Sequence, residues 1–83
     1  MSTIAMDYDK KYDIFYARYP LNEHSYTEED DDGIVTYHSI KTDKITGIAV
    51  YSFKKRLQNG TLRLNMLPVP LDMYRNKINS MIS

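Results

Sequence analysis

His24 and His38 are the only imidazoles in the sequence, and there is no cysteine. A zinc site needs three or four converging ligands, so two histidines on either side of a long acidic stretch read as surface residues. That stretch, Glu28-Glu29-Asp30-Asp31-Asp32-Gly33, puts Glu28, Asp30, Asp32 and Gly33 at the first, third, fifth and sixth places of an EF-hand-like loop, with Ile34 offering a carbonyl. The twelfth place is Ser39, where a bidentate glutamate is required. Its flanks read as loop and strand, so a solvated loop is expected and not a calcium site. No serine or threonine stands in a nucleophile motif, and Gly33, Gly47 and Gly60 are too scattered to cradle a phosphate. The residue types point away from an enzyme, and no cofactor or metal is expected.

The charges are divided along the chain. Residues 1–43 carry ten acidic and four basic side chains, a balance of −6, whereas residues 44–83 carry seven basic ones against Asp72 alone, a balance of +6. The acidic residues concentrate at Glu23, Glu28, Glu29, Asp30, Asp31 and Asp32, which form the first candidate partner-binding surface. Lys54, Lys55 and Arg56, with Arg75 further on, form a second, basic one. Either the fold interleaves the two sets, or it presents an acidic face and a basic face. An acidic face suits a basic protein partner, with carboxylates taking the places of phosphates in a nucleic-acid channel. Two or three clustered cations give only weak, salt-sensitive binding to nucleic acid, so direct binding of that kind is not expected.

Positioning these groups requires a small fold. Eighty-three residues suffice for one domain, 1–83. With disulfides closed off, oligomerisation, for instance as a homodimer, is the cheap way to enlarge the core. Ile14-Phe15-Tyr16-Ala17-Arg18-Tyr19 alternates as a strand, with Phe15, Ala17 and Tyr19 on one face and Ile14, Tyr16 and Arg18 on the other, until Pro20 ends it. Residues 34–40 and 45–53 read as a hairpin joined by Lys41-Thr42-Asp43-Lys44, and a shorter strand is expected near residues 3–7. Residues 20–33 read as one long loop. Asp9 and Asp13 bracket a turn and are expected to satisfy backbone amides there. Tyr16, Tyr19, Tyr37 and Tyr51 are expected to pack in or on the sheet, and to anchor an interface if several share an exposed face.

After a sheet core at 3–53, Lys54 to Gly60 reads as a basic helical turn, followed by an extended leucine-bearing segment. From Pro70, Leu71, Tyr74, Ile78, Met81 and Ile82 then follow helical spacing. The class expected is α+β: a small antiparallel sheet of three to four strands, with a C-terminal helix packed on it or on a second copy. The N-terminus shows no basic n-region, and no run approaches the roughly 20 apolar residues of a membrane span. A soluble, cytoplasmic protein is expected.

Tyr8-Asp9, Tyr12-Asp13-Ile14-Phe15-Tyr16, the acidic stretch ending in Asp32-Gly33-Ile34-Val35, and Ile45-Thr46-Gly47-Ile48-Ala49-Val50 together resemble the YuzE-like bacterial domain of unknown function, over residues 6–57. The resemblance implies antiparallel strands finished by a helix. It implies no activity, and some members look like companions of toxin–antitoxin modules. The stretch 21–32 is longer than the family pattern, and residues 61–83 have no counterpart in it. The expected function is therefore a non-catalytic module working by stoichiometric protein binding, such as a bacterial or phage-encoded inhibitor of a nucleic-acid-handling enzyme (counter-defence, anti-CRISPR-like). The alternatives are an antitoxin-like partner and a ligand-binding homo-oligomer with a tyrosine-lined pocket.

Overall fold

Strand alternation and one helical tail build two layers. In the computed structural model, which describes residues 4–19, 24–30, 33–69 and 71–83, the strands are β1 (Ala5–Asp9), β2 (Ile14–Arg18), β3 (Ser25–Glu29), β4 (Ile34–Ser39) and β5 (Ile45–Tyr51). They form one antiparallel sheet of five strands in the order β1-β2-β5-β4-β3. Helix α1 (Phe53–Gln58) follows at once, and helix α2 (Arg75–Ile82) closes the chain after two single 3-10 turns, Leu64–Met66 and Asp72–Tyr74.

The α+β class holds, but the sheet has five strands where three to four were expected. The extra one, β3, lies inside the stretch read as a loop. All five of its residues are exposed, so neither of its faces required apolar residues, and no hydrophobic period marked it. The third expected strand also ends early. Ser52 turns the chain in the left-handed region, at φ 53°, and Phe53 belongs to a helix.

Pairing fixes which side chains share a face. Phe15 lies opposite Val50 and Ala17 opposite Ile48, while Ile34 also lies opposite Val50. These residues make one core with Phe53, Leu62, Leu64, Leu67, Val69, Leu71 and Ile78. The whole segment after β5 therefore packs on one face of the sheet. Ile78 is completely buried in this core, so α2 is seated on its own chain, against β1. The weakly alternating leucines 62, 64 and 67 each bury a side chain, although the backbone between them is a 3-10 turn and not a strand.

The joint between the layers is a cluster around Asp13. Phe53, the first residue of α1, stacks on Phe15 at 4.3 Å between ring centroids and meets Tyr8 at 6.4 Å. Helix α1 has no side-chain cap from its own N-cap residue. Asp13 supplies it instead: its carboxylate accepts from the backbone N–H of Lys54 at 2.8 Å and of Lys55 at 3.2 Å, and from the Tyr8 hydroxyl at 2.5 Å. Its carbonyl accepts from Phe53 N–H at 3.1 Å. Asp13 does this from the left-handed region, φ 56°, which aspartate tolerates better than most residues. Of the two aspartates expected to satisfy turn amides, Asp9 does so, accepting from Lys11 N–H and Tyr12 N–H. Asp13 serves a helix some 40 residues away.

Burial pushes the Asp13 carboxyl up, but the hydrogen bonds from Tyr8, Lys54 and Lys55 and the charge of Lys54 outweigh it and hold the group below the usual carboxylate range. The folded state thus binds this proton less tightly than the unfolded chain. Its stabilising contribution is complete above about pH 4 and is lost as the pH falls through the folded-state value. Tyr8 is pushed up to about 12 by burial and then by Asp13, so its contribution is complete below about pH 10 and is lost between about pH 10 and about 12. Asp13→Ala is expected to cost about 2–3 kcal/mol in urea unfolding, through the lost cap and the strained backbone. Asp13→Asn should flatten the acid limb of the stability–pH curve, and Tyr8→Phe the alkaline limb.

Candidate functional site

The face of the sheet opposite the helices is left uncovered. Alternation and pairing place Ala5, Asp7 and Asp9 of β1 on it, beside Ile14, Tyr16 and Arg18 of β2, Gly47, Ala49 and Tyr51 of β5, Val35 and Tyr37 of β4, and Thr27 and Glu29 of β3. Tyr16 senses these neighbours electrostatically. Burial raises its pKa first, and Asp9, Tyr51, Tyr37 and Asp7 add to the shift. Three tyrosines thus share one open face with three carboxylates and one guanidinium.

Two rows run across this face. One reads Ala5, Arg18, Gly47, Tyr37, and the next Asp7, Tyr16, Ala49, Val35. Beside the first row lies a hollow of about 700 Å³, whose walls include Ala5, Tyr16, Arg18, Tyr19, His24 and Tyr37. A β-bulge at Tyr37/His38 shifts the register there, and Ser25 Oγ meets Thr46 Oγ1 at 2.9 Å on its border.

The acidic candidates separate. Glu23, Asp31 and Asp32 lie outside the described residues. Glu28 and Glu29 stand exposed on β3, and alternation sends them to opposite faces. Asp30 is committed to the β3–β4 turn, where its Oδ1 accepts from Ile34 N–H at 3.1 Å and its carbonyl from Gly33 N–H. The expected single acidic loop is therefore a strand edge and a turn. Asp7 and Asp9 join Glu29 on the open face, which sequence reasoning missed, because only strand pairing carries them across the sheet to it.

The basic candidates belong to the other layer. Lys54, Lys55 and Arg56 are on α1, the first two giving their backbone N–H groups to Asp13. Arg75 opens α2 and pairs with Asp72 at 3.8 Å, with both side chains exposed, a pair of small energetic value. The layers touch at one end, since a Cβ added at Gly33 would come within 3.9 Å of Arg56 Nη1.

The histidines do not meet in a metal site. His38 stacks on Tyr26 at 5.2 Å and contacts the Asp43 carbonyl through Nδ1, while the Tyr26 hydroxyl donates to the Asp43 carboxylate at 2.8 Å. This pins β3 to the β4–β5 turn. Among the described residues, no group of three or more His, Asp or Glu side chains is arranged to hold a metal, and no helix is long and apolar enough to cross a membrane.

Compared with known proteins, the chain matches no family model, no curated protein and no solved structure.

At Gly47, β5 lies tightly against β2. A Cβ there would lie 2.7 Å from Arg18 Cβ and 2.8 Å from the Ala17 carbonyl oxygen. Gly47→Ala is expected to cost about 1–3 kcal/mol, read as a lower thermal midpoint, with amide shift changes centred on Arg18 and Tyr37.

Proposed function

We propose that the protein is a non-catalytic binding module that associates stoichiometrically with a basic protein surface through the open face of its sheet and the adjoining edge strand β3. The observation that carries this reading is the uncovered face itself. All helical segments pack on the other side, leaving Tyr16, Tyr37 and Tyr51 among Asp7, Asp9 and Glu29. Tyrosines anchor interfaces because a large ring is buried at low entropic cost. Flanking carboxylates steer a cationic partner towards them. Basic segments gather in the opposite layer, where six cations of residues 53–83 accompany the single acid Asp72, so the open face is mainly acidic and the helical layer mainly basic.

The partner that fits is a cationic groove built for nucleic acid, in which carboxylates in place of phosphates and aromatic rings in place of bases compete for the site. In a bacterium or a phage-infected cell this makes the module a cytoplasmic inhibitor of a nucleic-acid-handling enzyme. The likeness to YuzE-like domains is compatible with this role and assigns no activity of its own.

Mixing the protein with purified nucleases and nuclease complexes, and measuring association at about 0.05 and about 0.5 M salt, tests the reading. Charge reversal by Asp7→Lys with Glu29→Lys is expected to weaken the complex tenfold or more and to abolish its salt dependence, with the fold intact because both residues are exposed. A complex unchanged by this double reversal would overturn the acidic-face mode of binding.

A further inference from the structure

We propose that the hollow on the open face is a binding site for a small aromatic carboxylate, held by Arg18 and walled by Tyr16 and Tyr37. This goes beyond protein association and does not depend on it.

On either side of Arg18 its cross-strand neighbours are Ala5 and Gly47, and on the inner side of Tyr16 the neighbour is Ala49. Of these three, Ala5 lines the hollow, together with Tyr16, Arg18 and Tyr37. Its volume of about 700 Å³ falls within the range of small-molecule sites, roughly 300–1,000 Å³.

The functional groups around it suit one kind of guest. Arg18 is exposed and forms no ion pair among the described residues. The nearest carboxylate on β1, Asp7, has its Oδ1 turned to the backbone N–H of Tyr8. A guanidinium fork matches a carboxylate through two parallel hydrogen bonds. The hydroxyls of Tyr16 and Tyr37 are engaged by no partner among the described residues, and their rings offer faces to a flat body. The Asp7 carboxylate, also bordering the hollow, disfavours a dianion, which argues for a monocarboxylate over a phosphate ester. His24 and the Ser25–Thr46 hydroxyl pair close one border, adding polar contacts for a ring substituent.

The test is an amide-shift titration of the whole chain with benzoate, 4-hydroxybenzoate and indole-3-acetate, alongside benzamide and inorganic phosphate as controls. At least one of the aromatic carboxylates is expected to give saturable shifts confined to β2, β5 and the Tyr37 end of β4, with affinity tenfold or more above that of benzamide and of phosphate. Arg18→Gln should reduce that affinity tenfold or more while leaving the thermal midpoint unchanged, since the side chain is exposed. The proposal is overturned if none of the three carboxylates saturates, if benzamide binds equally well, if Arg18→Gln binds like the natural chain, or if the shifts fall on α1 and α2. The substitution leaves Asp7, Asp9 and Glu29 in place, so loss of ligand binding and loss of protein association are separable results.

Discussion

The contact between the Asp13 carboxylate and the first turn of α1 holds the two layers in register. A six-residue helix is far too short to be stable alone, and its first backbone donors point into a partly buried junction. A carboxylate is the strongest available acceptor for them and complements the positive end of the helix. Tyr8 closes the arrangement by donating to the same group from β1, and the stacked Phe15 and Phe53 lie beside it. One aspartate, held in a left-handed turn, thus couples the β1–β2 hairpin to the start of the helical layer. The direction in which the chain leaves the sheet follows from that coupling, and so does the face that becomes covered.

From this comes the most consequential property of the molecule, its uncovered sheet face. Once Phe53 is fixed on the Phe15 side, the leucines of the tail and Ile78 of α2 must fill the same side, because apolar burial is cooperative around one core. The opposite face is then left to residues that tolerate water. Those residues are not uniformly polar, since tyrosines and small residues alternate there, and the face carries both anchoring rings and a hollow. The division of charge along the chain becomes a division across the thickness of the sheet, with the cationic tail on the helical side and Asp7, Asp9 and Glu29 on the open side. At the Gly33 end the layers approach, so the separation is not complete.

Strand β3 shows how an edge can be both exposed and controlled. Its residues make no core contact, yet Tyr26 is stacked on His38 and bonded to Asp43, and Ser25 reaches Thr46. Polar cross-strand pairs replace hydrophobic ones. Glutamates at its end discourage edge-to-edge pairing with another copy.

Local pattern by itself determined much of this protein. The Phe15/Ala17 and Tyr16/Arg18 faces of β2, the β4–β5 hairpin, a basic helical turn from Lys54 and the apolar stripe of the last helix are all written in residue spacing, whereas the strand pattern runs on through Phe53, which belongs to the helix. Tertiary structure alone decided the rest. Strand β3 carries no apolar period, since it borders only β4, and so it read as loop. Asp13 read as a local turn residue, because nothing in its neighbourhood announces a helix distant in sequence that lacks its own cap. The open face joins residues of five strands, and the hollow brings together Ala5, Tyr16, Arg18 and Tyr37 from three of them. Spacing within a strand reveals which face a residue takes; which residues stand beside it depends on strand order and register, and these are settled by how the whole core packs.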